Sequence, residues 1–112
     1  MKHILLLTLL FTSLFNFAQA TGRIMVDGRT ITQDIPYLMD MNKAGILVFN
    51  IAVDVKGNVT SCKLNKMEST IKSTVYAYQA KNLILMKLKF EKGNGYPTFH
   101  QGLVTISARI PD

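Results

Sequence analysis

Apolar residues alternate along positions 45–55, and this pattern constrains the fold more than any other feature of the chain. The odd positions are all apolar: Leu47, Phe49, Ile51, Val53 and Val55. The even positions are mixed and include Asn50 and Asp54. Because successive side chains of a strand point to opposite faces, this period of two predicts a strand that buries its odd positions and leaves its even positions more exposed.

Two further strands are indicated by local sequence. Gly57 can adopt a positive φ because it has no Cβ, and Asn58 also tolerates the left-handed region, so residues 54–58 predict a hairpin turn with a return strand at 59–64. Residues 102–110 alternate again, and this predicts another two-faced strand. One of its sets is Val104, Ile106, Ala108 and Ile110, and the other is Leu103, Thr105, Ser107 and Arg109.

The segment between these strands has the period of a helix. Its apolar residues recur at spacings of three and four, which places them on one helical face. They are Tyr76, Ala80, Leu83, Met86 and Phe90. Ser69 or Ser73 is a candidate cap for the first turn, and Pro97 prevents the helix from restarting. The simplest architecture that buries all these faces is an α+β fold, in which one long helix packs on a three-stranded antiparallel sheet.

Residues 1–20 have the pattern of an export signal. Lys2 and His3 form a short basic start, an apolar stretch covers positions 4–17, and the Ala-Gln-Ala sequence ending at Ala20 is the small-x-small site that a signal peptidase recognises. The apolar stretch is shorter than the ~20 residues needed to cross a bilayer. We therefore expect cleavage after Ala20 and a soluble periplasmic chain. An uncleaved membrane anchor is the alternative.

The chain is basic, with 13 Lys/Arg against 7 Asp/Glu. Basic proteins often bind nucleic acid, but an exported protein rarely meets it, so no nucleic-acid partner is expected. Attraction to anionic envelope surfaces or to acidic segments of partner proteins fits an exported chain better. The simpler interpretation is that the lysines only solvate turns and the polar face of the helix.

Catalytic and metal-binding patterns are scarce. Cys62 is the only cysteine, and His100 is the only histidine after residue 20. A protein metal site needs three or four ligands at usable spacing, which these two residues do not supply. We therefore expect no catalytic residues, no metal, no cofactor and no enzymatic activity. His100 is expected to be structural or solvent-exposed, and Cys62 to be a small, half-buried apolar side chain, with intermolecular disulfide formation as the alternative.

Taken in order, residues 45–110 resemble the C-terminal domain of the TonB energy transducer family. The matching positions are Gly45, Phe49, Ile51, Val53, Asp54, Gly57, Val59, Ala80, Phe90, Pro97, Gln101 and Gly102. The resemblance implies a domain at 45–112 that binds other envelope proteins, preceded by an N-terminal arm at 21–44 that forms a short helix or an extended segment. Energy-coupling members carry a long Pro-rich spacer, whereas this chain has three prolines, so it departs from them in this respect.

The last strand is the expected recognition edge. Only Pro111 and Asp112 follow it in the sequence, so its outer side is expected to lie open for strand addition by an extended peptide. The family resemblance implies the same mode, because these domains capture a receptor segment beside their last strand. The expected partner-binding residues are Leu103, Thr105, Ser107 and Arg109. The expected partner is an envelope protein, such as the N-terminal segment of an outer-membrane receptor.

Two alternatives remain open. The edge could be blunted by Arg109 and Pro111 or buried in a homodimer. A second class of function is a small exported enzyme or inhibitor whose site has no sequence signature.

Overall fold

Nine helices and strands build the fold in a computed structural model that describes residues 20–111. In chain order they are β1 (Ala20–Thr21), α1 (Arg23–Val26), β2 (Ile31–Gln33), β3 (Leu38–Asp40), β4 (Gly45–Val53), β5 (Val59–Leu64), α2 (Thr74–Lys87), β6 (Lys89–Phe90) and β7 (His100–Arg109). The expected export signal, apart from Ala20, lies outside the described residues. Within the part of the chain that is described, no helix is long and apolar enough to cross a membrane.

The three long strands lie side by side in the order β7-β4-β5, and β4 is antiparallel to both β7 and β5. Phe49 at the centre of β4 is opposite Leu64 on one side and Val104 on the other. The α2 helix lies between β5 and β6 in the chain and contributes Ala80 and Ile84 to the same buried cluster as Phe49. The predicted α+β class, with an antiparallel sheet and a helix, is therefore confirmed.

The prediction of a three-stranded sheet is wrong, because the main sheet has five strands and a second sheet pairs β2 with β6. The two additional strands of the main sheet come from residues 20–44. Thr21 of β1 pairs antiparallel with Leu103, and Leu38 of β3 pairs parallel with Ser107. The N-terminal segment thus also contains the one-turn helix α1, and it joins the sheet of the expected 45–112 domain.

The predicted open edge of β7 is consequently occupied along about half of its length, at residues 103–104 and 107–109. The N–H of Ser107 donates to the carbonyl of Tyr37 at 2.8 Å, and the N–H of Met41 donates to the carbonyl of Arg109 at 2.8 Å. An unpaired strand edge leaves backbone donors and acceptors without partners. Here β1 and β3 supply partners to β7. Thr105 lies between the positions that pair with β1 and those that pair with β3.

Strand parity follows the prediction for the odd positions of β4, whereas Val48, which was expected on the more exposed face, is buried as well. The buried side chains on one face of β4 are Leu47, Phe49, Ile51 and Val53. Those of β7 on the same face include Val104, Ile106 and Ala108, whereas Ile110 lies beyond the end of the strand and is exposed. The hairpin also forms as expected, with Gly57 at φ 89°. Asn58, in contrast, does not adopt a positive φ.

The buried side of α2 differs from the predicted one. Ala80 and Ile84 are fully buried, but Met86, assigned to the core by spacing, is 68% exposed. The helix is apolar on nearly every side, so the sequence fits more than one orientation. Its first residue is preceded by Ser73, whose side chain makes no capping bond. The other capping candidate, Ser69, is buried, and its Oγ accepts from the N–H of Val48 at 2.9 Å.

Candidate functional site

The face of the main sheet opposite the core carries all four residues expected to bind a partner. On β7, Leu103 and Thr105 are half-buried, whereas Ser107 and Arg109 are exposed. The register places Leu103 beside Asn50 of the neighbouring strand β4. These side chains therefore share one surface, because alternate residues of paired strands project to the same side of a sheet.

A shallow depression of about 580 Å³ lies on this surface. Its lining comes from three neighbouring strands and from the start of α1 with the residue before it: Gly22, Arg23, Asn50, Ile51, Ala52, Ser61, Lys63, Gln101, Gly102 and Leu103. Two of these side chains are cations, Arg23 and Lys63, and both are exposed. Amide and hydroxyl groups of Asn50, Ser61 and Gln101 lie between them. We call this depression, together with the exposed residues of β7 beside it, the sheet-face site.

Arg109 is already engaged within the chain. Its Nε donates to Oδ1 of Asp40 at 2.8 Å, and both side chains are exposed. An exposed ion pair of this kind contributes about 0–1 kcal/mol, so it can be exchanged for another carboxylate at little cost. The predicted preference of Arg109 for acidic positions of a partner remains a prediction, and it requires Asp40 to be displaced.

His100 belongs to a buried polar cluster that sequence analysis did not find. Its ring nitrogens have two partners: Nε2 lies 2.7 Å from Oδ2 of Asp27, and Nδ1 lies 3.2 Å from Nη1 of Arg29. A guanidinium can only donate hydrogen bonds, so Nδ1 must accept from Arg29, and Nε2–H donates to Asp27. The ring is 1% exposed and stacks on Tyr96 with centroids 5.4 Å apart. Its position agrees with a structural role.

Arg29 is the centre of this cluster and is itself only 1% exposed. Besides His100, its guanidinium donates to the carbonyl of Glu91 at 3.0 Å and to the carbonyl of Asp54 at 2.6 Å. Its Cζ lies 4.3 Å from the centre of the Tyr96 ring. Arg29 therefore connects the N-terminal segment to the hairpin turn, to the loop after β6 and to the start of β7. A single arginine after a turn forms no sequence pattern from which these contacts could be predicted.

Glu91 and Tyr96 close the outer side of the cluster. The carboxylate of Glu91 accepts from the N–H of Thr30 at 2.8 Å and from the hydroxyl of Tyr96 at 2.7 Å. The backbone donor of Thr30 is the main reason why the pKa of Glu91 lies below its usual value. The hydrogen bond that the Tyr96 hydroxyl donates to Glu91 is the main reason why the pKa of Tyr96 lies above its usual value. The arrangement consists of mutually satisfied donors and acceptors and offers no activated nucleophile.

Cys62 is more deeply buried than the sequence suggested, with 3% of its surface exposed. Burial raises the pKa of its thiol to about 12. Since the thiolate is the reactive form, the burial and the raised pKa both disfavour reaction of this thiol at neutral pH. We expect the native protein to resist modification by a thiol reagent such as Ellman's reagent and to react fully once unfolded in denaturant. Rapid labelling of the native protein, or a disulfide-linked dimer in non-reducing electrophoresis, would contradict this.

Within residues 20–111, no group of three or more His, Cys, Asp or Glu side chains is arranged to hold a metal ion. No family model, curated protein or solved structure matches the chain.

Proposed function

We propose that this protein is a non-enzymatic interaction module of the periplasm, and that its sheet-face site binds an acidic, extended segment of an envelope protein. The resemblance to the TonB C-terminal domain family and the export signal expected at residues 1–20 support this class of function. The N-terminal segment of an outer-membrane receptor is the partner that the resemblance favours.

The observation that carries the proposal is the chemistry of the sheet-face site. Arg23 and Lys63 place two cations at a depression whose other polar groups are amides and a hydroxyl. Such groups complement both the carboxylates and the backbone of an extended peptide. Opposite charges at the rim of an interface accelerate association and select partners by charge. Leu103 adds an apolar contact beside Asn50 at the same site.

Binding through the face of the sheet is compatible with the pairing of the edge of β7 with β1 and β3. A peptide that added itself to β7 would have to replace β3, including the hydrogen bond from Ser107 to Tyr37. Binding on the exposed face leaves these bonds intact. The side chains of Leu103, Thr105, Ser107 and Arg109 remain the proposed partner-binding residues. Asn50, Lys63 and Gln101, which line the depression, are added to this proposed set.

The proposal can be tested by titrating the isotopically labelled protein with peptides from the N-terminal segments of outer-membrane receptors. We expect amide shifts centred on Asn50, Lys63 and Gln101. Lys63→Glu should weaken binding about tenfold, because reversing a charge at the rim changes the binding free energy by about 1.4 kcal/mol or more. Lys56→Glu is the matched control, since Lys56 is equally exposed but lies in the hairpin turn away from the site.

Two results would contradict the proposal. One is the absence of binding at millimolar peptide. The other is a set of shifts at residues 38–40 with loss of their amide protection, which would show that the peptide displaces β3 and binds by strand addition.

A further inference from the structure

Asn94 and Gly95 occupy the two central positions of a turn between β6 and β7. The N–H of Tyr96 donates to the carbonyl of Gly93 at 3.3 Å and closes the turn around them. Both central residues are exposed, and a Cβ built at Gly95 would meet nothing within 4 Å. The backbone at Gly95 can therefore rotate at little cost, because glycine has few steric limits and no neighbour packs against it.

An asparagine followed by glycine can lose its side-chain amide without an enzyme, and asparagine is accordingly one of the thermolabile residues. The backbone nitrogen of the glycine attacks Cγ of the asparagine. The new C–N bond closes a succinimide ring, the bond from Cγ to Nδ2 breaks, and ammonia leaves. Water then opens the ring at either carbonyl and yields aspartate or isoaspartate. Glycine favours the attack because it has no side chain to shield its nitrogen.

Asn94 is the only asparagine in the chain that glycine follows. The others precede residues that carry side chains, and some also have their amides engaged: the amide oxygen of Asn65, for example, accepts from the N–H of Glu68 at 3.2 Å. The attacking nitrogen at Gly95, in contrast, has no backbone acceptor among residues 20–111. Sequence and structure therefore select the same position.

Asp27 and Gly28 form the one comparable pair, and the fold protects them. The carboxylate of Asp27 lies 2.7 Å from Nε2 of His100, and the N–H of Gly28 donates to the carbonyl of Met25 at 3.1 Å. Ring closure requires this nitrogen and rotation of this carboxyl group, so both contacts would have to break first. The pair provides an internal control for the effect of structure.

We propose that Asn94 is a site of spontaneous deamidation, and that its isoaspartyl product loosens the turn that closes the buried cluster around Arg29. In isoaspartate the side-chain methylene becomes part of the main chain, so the backbone of residues 93–96 lengthens. This turn positions Tyr96, whose hydroxyl donates to Glu91 at 2.7 Å and whose ring centre lies 4.3 Å from Cζ of Arg29. A longer turn moves Tyr96 away from both partners.

Incubation of the purified protein at mildly alkaline pH tests the site, since the attacking nitrogen must lose its proton. Peptide mapping by mass spectrometry should locate the gain in mass at residue 94, and an isoaspartyl methyltransferase should label the same peptide. Asn94→Gln should abolish the gain, and Gly95→Ala should slow it several-fold while the fold is retained. Asn42→Gln is the matched control, because Asn42 is also exposed but precedes Lys43.

A second measurement tests the effect on the cluster. Ion exchange separates the aged forms from the unmodified protein by their added negative charge. The isoaspartyl form should unfold at a lower denaturant concentration than the unmodified protein. Asn94→Asp adds the charge without lengthening the main chain, so it should unfold at nearly the unmodified midpoint.

Constant mass at residue 94, or a gain that persists in Asn94→Gln, would overturn the assignment of the site. Equal midpoints for the isoaspartyl and unmodified forms would overturn the proposed effect on the cluster. Isomerisation of Asp27 in the folded protein as fast as the reaction of Asn94 would show that the local structure does not select the site.

Discussion

Replacing Arg29 with alanine should reduce the free energy of unfolding by about 3–5 kcal/mol, because Nδ1 of buried His100 and the part-buried carbonyls of Asp54 and Glu91 would each lose a hydrogen bond. The guanidinium satisfies the carbonyls of Asp54 and Glu91 and Nδ1 of His100. Each buried polar group left unpaired costs about 1–3 kcal/mol, and entry of water into the cavity recovers part of this. The lost packing against Tyr96 adds to the effect.

Chemical denaturation of three variants tests this prediction. Arg29→Lys retains the charge but not the planar fork that reaches three acceptors, so an intermediate loss of stability is expected. Arg109→Ala is the matched control, because its ion pair with Asp40 is exposed and should contribute about 1 kcal/mol or less. Equal losses for Arg29→Ala and Arg109→Ala would show that the buried cluster contributes little to stability.

Gly57→Ala should destabilise the protein by about 3 kcal/mol or more, because two separate penalties act at this position. Its φ of 89° is unfavourable for any residue with a Cβ. In addition, a Cβ built at Gly57 would lie 2.0 Å from the carbonyl oxygen of Phe90, which is part of the backbone of β6. Relieving that overlap would move the hairpin away from β6 and weaken the hydrogen bond from Phe90 N–H to Gly57 O, now 2.9 Å.

Two other glycines separate these penalties in the same denaturation experiment. Gly28 has a φ of 76° but open space around the position of a Cβ, so Gly28→Ala should show only the conformational penalty, about 1–2 kcal/mol. Gly95 has open space and no positive φ, and Gly95→Ala should be nearly neutral. If Gly57→Ala were no more destabilising than Gly28→Ala, the close approach of Gly57 to Phe90 would be wrong.

The long elements could be predicted because each carries its own repeating pattern. Nine residues of β4 contain enough alternations to reveal both its strand conformation and its buried face. Gly57 marked the turn because a glycine is the residue that tolerates a positive φ there. The same local information was ambiguous for α2, because its apolar side chains lie on nearly every side of the helix. In the folded protein Ile84 is buried in the core and Met86 is exposed to solvent.

The sequence placed only some residues of the sheet-face site, because local patterns do not show which distant residues become neighbours. The alternation of residues 102–110 placed Leu103, Thr105, Ser107 and Arg109 together on one face, but it contained no information about what lies next to them. Arg23 comes from the N-terminal segment and Lys63 from another strand, and only the assembled sheet brings the two to one depression. The expectation of an open edge failed because it treated residues 20–44 as separate from the sheet.

The amino-acid sequence by itself determined the α+β class, the positions of the three long strands and the helix, and the buried faces of β4 and β7, because these depend on the periods of neighbouring residues. Only the tertiary structure decided the pairing of β1 and β3 with β7, the side of α2 that is buried, and the cluster of Arg29 with His100. Strands of two or three residues have too few alternations to be recognised, and they form where a longer strand offers unpaired backbone groups. A buried arginine likewise depends on acceptors that are distant in sequence, here Asp54, Glu91 and His100.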